Sequence, residues 1–535
     1  MAGIPKRNAG HDPAVFVLLI MLIVLIMSVM SVMSVMSVMA PPAARPGVLF
    51  HPTLIFPSCR GDMKSMTSMN SMNNMNGINR RCGGRVGLTA ALLVSLLAGG
   101  WWATGHLQAE TGSTTRATIE GSYVLEEMPL PLPADASAAS RALGFSLGGI
   151  SDLCIAPGGF DGGQSLFGIT DRGPNGFVER PTTDGTPPAP LRTLPVPEFR
   201  PLVVRLVLEP PAVAGQPGVI RVAEILPITT ATGKPSSGRP AVGPPLGKVM
   251  VDPATAVALP VDPNGLDSEG IAPTADGGFW VAEEYAPSLV QLSAAGQMIR
   301  RIVPAGSTLQ GAGCEVLELL PADYLRRQDN RGFESLATAP DRSRLFAMLQ
   351  SPLQPLPGTA TDNPQSLLVP LLVMDATTGA PLAEYAYPLG ASGEEAVAVA
   401  AADSRISAIA ATGPDTLLVL EQSHSASRLY EIDLHSGSDT LPPAPRHSVT
   451  PLTKRLVADL VDLAPRFNQA LNRGAQGPPS KLSDLKFEGL AILAPGVVAL
   501  INDNDFDMDS AGAAPAAPPL RQTCLWVLRL PAVAD

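Results

Sequence analysis

Three glutamates occupy one recurring local setting. Glu269 stands in "DSEGIAPTADGGFWVAEEY" from residue 267, Glu334 in "GFESLATAPDRSRLFAMLQ" from 332, and Glu488 in "KFEGLAILAPGVVALINDNDFD" from 486. After each come a small residue, an apolar residue and alanine, then a turn and a second apolar run. In two further copies, "GGISDLCIA" and "RISAIAATG", Ser151 with Asp152 and Ser407 take the glutamate's place. The second runs end near further acids: Asp171, Glu283 and Glu284, Glu421, and Asp503 with Asp505. Carboxylates that a fold brings together repel one another and raise each other's pKa. Calcium relieves that repulsion, since it takes roughly six to eight oxygen ligands from carboxylates, carbonyls and water. Glu269, Glu488, Asp503 and Asp505 are the predicted calcium ligands. The competing role for such acids is structural, capping neighbouring backbone or pairing with arginine. The run "NDNDFDMDS" at 502–510 is no EF-hand, because it lacks the glycine at loop position six and the glutamate at position twelve.

Elements that bring five such copies to one point must be short strands. From about residue 115 onward the chain reads as apolar runs broken by turns rich in Gly, Pro and Asp. The five related units begin at 148, 265, 332, 405 and 486, and each reads as strand, turn, strand; "ADGG" at 275–278 is the clearest hairpin turn. Segments such as "LVVRLVLEP" (202–210) and "LLVMDATTGAPLAEYAYPL" (371–389) supply outer strands. Repeats of strands with no helix between them predict an all-β fold, a β-propeller of about six four-stranded blades. The sixth blade is expected within 198–230 or from both termini, with "TCLWVLRLP" (523–531) pairing "GSYVLEEMPLP" (121–131) to close the ring. Pro-rich inserts at 179–195, 232–248 and 436–452 read as surface loops, and "TPLTKRLVADLVDLAPRF" (450–467) as one peripheral helix.

Composition narrows the chemistry. Residues 1–109 hold 8 basic and 2 acidic residues, leaving 29 and 46 for the remainder, a formal net of −17. A body so acidic does not neutralise a phosphate backbone, so nucleic acid is excluded as a partner. No CxxC spacing offers a thiolate zinc site, and Cys154, Cys314 and Cys524 of the body have no pairing that spacing reveals. "GFSLG" (144–148) matches the GxSxG elbow, but "GISDLCIA" after it reads as a strand where the elbow needs a helix, which argues against Ser146 as a nucleophile. Only His424, His435 and His447 follow the leader, and a Ser-His-Asp triad would rest on His424 by default. Neither GxGxxG before a helix nor GxxxxGK[ST] occurs.

Residues 1–109 read as a leader. The segment 14–40 is long enough to span a bilayer, and 79–109 has a basic start at Arg80, Arg81 and Arg85, an apolar run and small residues near Ala109, the layout of a signal peptide. Methionine recurs every third residue at 27–39 and 63–75, and twelve of the 18 methionines precede residue 80. That period suits neither helix nor strand. It suggests a repetitive upstream reading frame with a natural start at an internal methionine such as Met72 or Met75; the alternative is a true membrane anchor.

In their order, "GGISDLCIA…LFGITDRGPNG", "LDSEGIAPTADGGFWVAEEYAPSLVQLSAAGQMIRRI", "NRGFESLA", "ISAIAATGPDTLLVLEQ" and "FEGLAILAPGVVALINDNDF" resemble the bacterial family called esterase-like activity of phytase, over roughly residues 120–530. The resemblance implies an exported propeller that hydrolyses esters. It implies a catalytic set of Asp171 and Arg172 in "DRGP", Glu269 in "SEG", Glu284 in "EEY", Glu334 in "GFE" and Glu488 in "FEG", with "DND" at Asp503–Asp505. Two positions depart from the family pattern: Gln422 stands where a cation is usual and Ser335 where glycine is usual. The expected function is hydrolysis of ester bonds, phosphoesters foremost, by a periplasmic or extracellular monomer with calcium at the propeller mouth and Arg172 gripping a phosphate. A metal-dependent carboxyl-ester or lactone hydrolase is the second reading, and a non-catalytic propeller that binds the cell envelope is the third. A small-molecule ester is the expected partner, with membrane contact only through the leader if 14–40 is retained. Mass spectrometry of the secreted protein should find an N-terminus close to residue 110; a mature form that keeps 14–40 would refute the internal start.

Overall fold

Each of the five repeated segments forms the innermost hairpin of a separate blade. The protein's structure is a computed structural model that describes residues 116–155, 165–179, 190–244, 248–355, 367–390, 404–423, 426–441, 449–463, 467, 485–508, 514 and 521–531. The chain divides into Met1–Gln108 and Ala109–Asp535; the leader readings, His424 and His447 lie outside the described residues. Blade I contains Ile150–Ile155, Ser165–Thr170, Leu202–Glu209 and Gly218–Pro227. Blade II contains Ser268–Pro273, Phe279–Glu283, Ser288–Leu292 and Met298–Pro304, with Glu315–Leu320 added in parallel at its rim. Blade III is Phe333–Thr338, Arg344–Leu349, Leu368–Asp375 and Pro381–Pro388, and blade IV is Arg405–Ala411, Thr416–Gln422, Ser427–Asp433 and Lys454–Asp459. Blade V joins Phe487–Ala494, Val497–Asn502 and Cys524–Arg529 to Thr118–Leu125 from the other end of the body.

The inner strands of successive blades lie against one another from I to V, and that of V lies against that of I, which closes the ring. The architecture is thus an all-β propeller. Among the described residues its count is five blades where about six were expected. The strands assigned to a sixth are used elsewhere: 202–209 and 218–227 complete blade I, and the terminal pairing of Thr118–Leu125 with Cys524–Arg529 completes blade V. Thr118–Leu125 also pairs in parallel with Gly218–Pro227, so the rims of blades V and I are hydrogen-bonded to each other.

Apolar faces of neighbouring blades fill the space between them. Trp280 of blade II donates its indole N–H to the Ala376 carbonyl of blade III at 3.0 Å, and Phe467, Phe487 and Trp526 pack edge to face between blades IV and V. The predicted helix at 450–467 is instead the fourth strand of blade IV, Lys454–Asp459, followed by a 3-10 turn at Leu460–Leu463. The open edge of Ser427–Asp433 captures it, and pairing along that edge outweighs the helical spacing of its leucines. The insert at 179–195 is partly structured: Gly176–Glu179 and Pro190–Thr193 pair as a hairpin extended by Met250–Val251. Cys154 and Cys314 are free thiols, and Cys524 is buried in blade V. The chain after Ser146 enters the strand Ile150–Ile155, as the sequence indicates.

At the centre of the ring sits one fully buried carboxylate, Asp152. It accepts backbone N–H groups from Leu153 in its own blade at 2.8 Å, Ile271 in blade II at 3.1 Å and Leu490 in blade V at 3.4 Å. Ser335 of blade III reaches the same carboxylate at 3.5 Å, and its hydroxyl accepts the Ile409 N–H of blade IV at 2.8 Å. The positions equivalent to Asp152 in the other blades are Gly270, Ser335, Ala408 and Gly489, all small enough to leave the axis to one side chain. A Cβ on Gly489 would stand 3.0 Å from the Asp152 Cα, and one on Gly270 2.9 Å from the Ser335 Cα. Asp152→Ala strips the acceptor from buried N–H groups of several blades and should lower stability by about 3–5 kcal/mol; Ser335→Ala should cost about 1–3 kcal/mol. Urea unfolding measures both, and an Asp152→Ala protein of wild-type stability would remove the axial role.

Candidate functional site

Every inner hairpin carries a β-bulge at the same place. In blade I Ile150 faces Thr170 and Asp152 faces Ile169, so Ser151 has no partner across the ladder. The same shift leaves over Glu269 in blade II, Glu334 in III, Ser407 in IV and Glu488 in V. A bulge adds one residue to one strand, bends it and re-aims the extra side chain. The repeated glutamates are the re-aimed residues. Across each bulge the second strand gives way to Asp171, Glu284, Gln350, Gln422 and Asp503 in turn.

Six of these ten residues, Asp171, Glu269, Glu284, Glu334, Gln350 and Glu488, meet around a cavity of about 430 Å³. Asp171, Arg172, Glu269, Glu284, Glu334, Glu488 and Asp505 all line it, so the structure gathers seven of the eight sequence-predicted residues at one mouth. Asp503 lies fully buried behind them. Glu421 is directed elsewhere, bonding Tyr387 and Lys454 between blades III and IV. Glu283 accepts the N–H groups of Tyr285 and Ala286 and the guanidinium of Arg301 at 3.0 Å, and so braces the turn that presents Glu284.

Two cations, buried Arg172 and partly buried Lys486, contact most of the acids. Arg172 lies 2.6 Å from Asp267, 3.0 Å from Asp171, 3.4 Å from Glu284 and 3.6 Å from Glu269, and also donates to the hydroxyl of Tyr285. Burial lifts the Asp171 carboxyl, but the Arg172 charge, a hydrogen bond with Asp267 and the Lys486 charge together hold it below its ordinary value. Four carboxylates thus engage the guanidinium that was expected to grip a phosphate. Lys486 Nζ lies 2.6 Å from Asp505 and 3.4 Å from Glu488, and it donates to Asp503; Arg521 adds a 2.7 Å contact to Asp505. An ammonium thus stands among Glu488, Asp503 and Asp505, where calcium was expected. Burial opposes the shift, yet Lys486 and Arg521 hold Asp505 far below the usual carboxylate range.

Charge is left over on the side of blades I and II. Asp171, Asp267 and Glu269 each offer a carboxylate oxygen, all within 4.8 Å of one another. Neither oxygen of Asp267 accepts a well-formed hydrogen bond, and Glu284 Oε1, Glu334 Oε2 and Glu488 Oε2 are likewise buried without one. Burial and the charges of Asp171, Asp267, Glu334 and Glu284 push Glu269 well up. Hard carboxylate oxygens that outnumber the single Arg172 suit a divalent cation such as calcium. Of the four predicted ligands, Glu269 belongs to this group; Asp267 and Asp171 complete it. Asp267 was legible only as a second acid two residues before Glu269. The cations Arg192, Lys248, Arg331, Arg405 and Lys486, which also line the cavity, stand singly in separate segments and left no local signal.

Glu334 has a distinct setting. Its Oε1 accepts Gln350 Nε2 at 2.7 Å while Oε2 has no partner, and burial together with the nearby Glu284 raises its pKa to about 8. Folded, it keeps a proton up to that pH; unfolded, it releases the proton near its model value of 4.5. Between these values the folded state binds more protons, so stability falls as pH rises. Asp171 and Asp505, held low, act in the opposite sense only in more acid solution. In chelator the protein should melt at a lower temperature at about pH 8 than at about pH 5, and Glu334→Gln should flatten that difference. An unchanged slope in the variant would show that other groups govern it.

Among the described residues no helix is long and apolar enough to cross a membrane. A protein of Arthroderma benhamiae described as an uncharacterized secreted protein is 32% identical over 102 residues, which are 16% of this chain and 20% of that one. The chain therefore spans about a fifth of the length of that relative. Solved structures with some likeness include the hydrazine synthase of Kuenenia stuttgartiensis (8% identity, 72% of this chain and 87% of that one, TM-score 0.26). The PQQ-bound aldose sugar dehydrogenase of Streptomyces coelicolor is 12% identical over 78% of this chain and 96% of its own, at a TM-score of 0.24. At those values the architecture rests on the strand pairing itself. Residues 146–506, which contain all five bulged hairpins, match the family described as Phytase-like, esterase-like activity of phytase, and the chain belongs to that family.

Proposed function

We propose that the body, residues 110–535, is exported and hydrolyses a phosphoester with the help of a hard divalent cation, calcium foremost. The observation that carries this reading is the lining of the mouth. All sixteen of its side chains are polar or charged, and it sets unpartnered carboxylate oxygens and unpartnered cationic groups around one space. An acyl ester with an apolar chain finds nothing there to bury itself against, which favours the phosphoester over the carboxyl ester. Export is supported by the signal-peptide pattern of 79–109 and by the relative described as secreted.

Asp171, Asp267 and Glu269 would hold the cation, which when bound supplies neutralisation of the substrate's anionic oxygens. The remaining parts belong to the chain. Arg172 fixes the rotamers of Asp171 and Asp267 and keeps their mutual repulsion from forcing them apart. Glu284, at the end of blade II's second strand, is pinned by Arg172 through one oxygen and has the other free. Glu334 holds a proton at neutral pH, its orientation set by Gln350, and its free oxygen is the group placed to pass that proton to a leaving oxygen. The bulges matter here because they place these side chains at the mouth while the strands that carry them remain paired.

Phosphate released from phytate and from a simple phosphomonoester should depend on added calcium and vanish in chelator. Glu269→Gln should lower release by about a hundredfold or more if loss of one ligand carboxylate removes the cation. Undiminished release in chelator, or none from folded calcium-loaded protein, would overturn the reading.

A further inference from the structure

The cations of the cavity fall into two groups. Arg172 and Lys486 are surrounded by carboxylates, whereas Arg192, Lys248, Arg331 and Arg405 are not. Arg405 opens the inner strand of blade IV, two residues before the bulge, the place that Lys486 holds in blade V. Its guanidinium has no hydrogen bond or ion pair among the described residues, and its Nε is buried. Among the described residues the Arg331 side chain donates only to the neutral hydroxyl of Ser351, at 2.8 Å. Arg192 donates to the amide oxygen of Asn175 at 2.7 Å and lies over the ring of Phe177, while its Nε is also buried and unpartnered. Lys248 reaches Asn330 at 3.4 Å and Asp329 at 3.1 Å, but the Asp329 side chain is 71% exposed.

We propose that Arg405, Arg331, Arg192 and Lys248 form an anion subsite that receives a phosphoryl group. This rests on the phosphoester reading and names the residues that would select the substrate. A buried guanidinium N–H without an acceptor is costly, and a fold keeps two of them beside one cavity where an incoming acceptor completes the set. Glu334 and Glu488 feel the Arg405 charge across the cavity, yet among the described residues neither forms a hydrogen bond or ion pair with it. The four cations come from different segments: the hairpin strand Pro190–Thr193, the stretch before Met250–Val251, the loop before Phe333–Thr338 and the start of Arg405–Ala411. Donors converging from several walls suit a tetrahedral oxyanion, which presents oxygens in several directions; a planar carboxylate answers only one. Solvent screens the Lys248–Asp329 pair from the side of the exposed Asp329, and an incoming phosphate displaces that acid at little cost.

Titration calorimetry of the full secreted protein with inorganic phosphate, in chelator, reads the subsite without turnover or bound cation. Wild type should bind phosphate more tightly than acetate. Arg405→Gln and Arg331→Gln should each weaken phosphate binding by about tenfold, and Asp329→Asn, which removes the competing acid, should strengthen it. Melting curves check folding; if Arg405→Gln does not fold, Arg331→Gln and Asp329→Asn decide. Wild type that binds no phosphate, affinity unchanged in the folded arginine variants, or acetate preferred to phosphate overturns the subsite. Phosphate binding lost in the variants, with no hydrolysis by wild type, would instead keep the subsite and sink the hydrolase.

Discussion

The axial carboxylate of Asp152 is the constraint on which the ring depends. Burial pushes this carboxyl up, and the backbone N–H groups of Ile271, Leu153, Leu490 and Leu336 pull against it. A polar group buried without partners is strongly unfavourable, so the carboxylate and the N–H groups require one another. Through Ser335, the carboxylate is linked to the fifth inner strand as well. The consequence is steric as much as electrostatic. One full-sized side chain on the axis obliges the equivalent positions to be glycine, serine and alanine, and the blades converge until backbone nearly touches backbone at Gly489.

Immediately before that layer, every inner strand bulges. The extra residue is serine in blades I and IV and glutamate in II, III and V, so the five-fold frame carries an asymmetric set of groups. Asymmetry is what gives the mouth a chemistry. A ring of five glutamates would be dominated by repulsion, and a ring of five serines would have nothing to bind a cation. Here the acids cluster towards blades I, II and III on one side and V on the other, each side with its own resident cation.

The two residents differ in what they leave behind. Lys486, with help from Arg521, answers three carboxylates and turns the blade V side into an internally neutralised brace. Arg172 faces Asp171, Asp267, Glu269 and Glu284 alone, and burial then penalises the surplus. That surplus supports a cation reading at blades I and II. The same mouth carries Arg192, Arg331 and Arg405 without a carboxylate in ion-pair contact among the described residues. A mouth charged in this way is arranged for a ligand that is itself both anionic and metal-seeking.

Much of the frame was legible in the chain. The five hairpins announce themselves because each must supply a turn, a small residue for the axis and apolar runs for the faces between blades, and those demands repeat in sequence. The ring closure through 523–531 and 121–131 was legible for a related reason: an unpaired edge at either terminus needs a partner. The helix at 450–467 was misread because helical spacing is a local property, while the free edge of Ser427–Asp433 that captured it is made by another segment. Equivalent positions of Glu269, Glu334 and Glu488 could be inferred from the repeat, and their convergence followed. Their partners could not. Which acid meets Arg172 or Lys486, and which arginine meets none, depends on side chains hundreds of residues apart arriving at one mouth, and a single charged residue in a loop carries no mark of its destination. The sequence by itself determined the repeat, the strands and the acids of the mouth, because these rest on local pattern; only the tertiary structure decided the blade count, the resident cations and the arginines left without a carboxylate, because these rest on distances that exist only when the ring is closed.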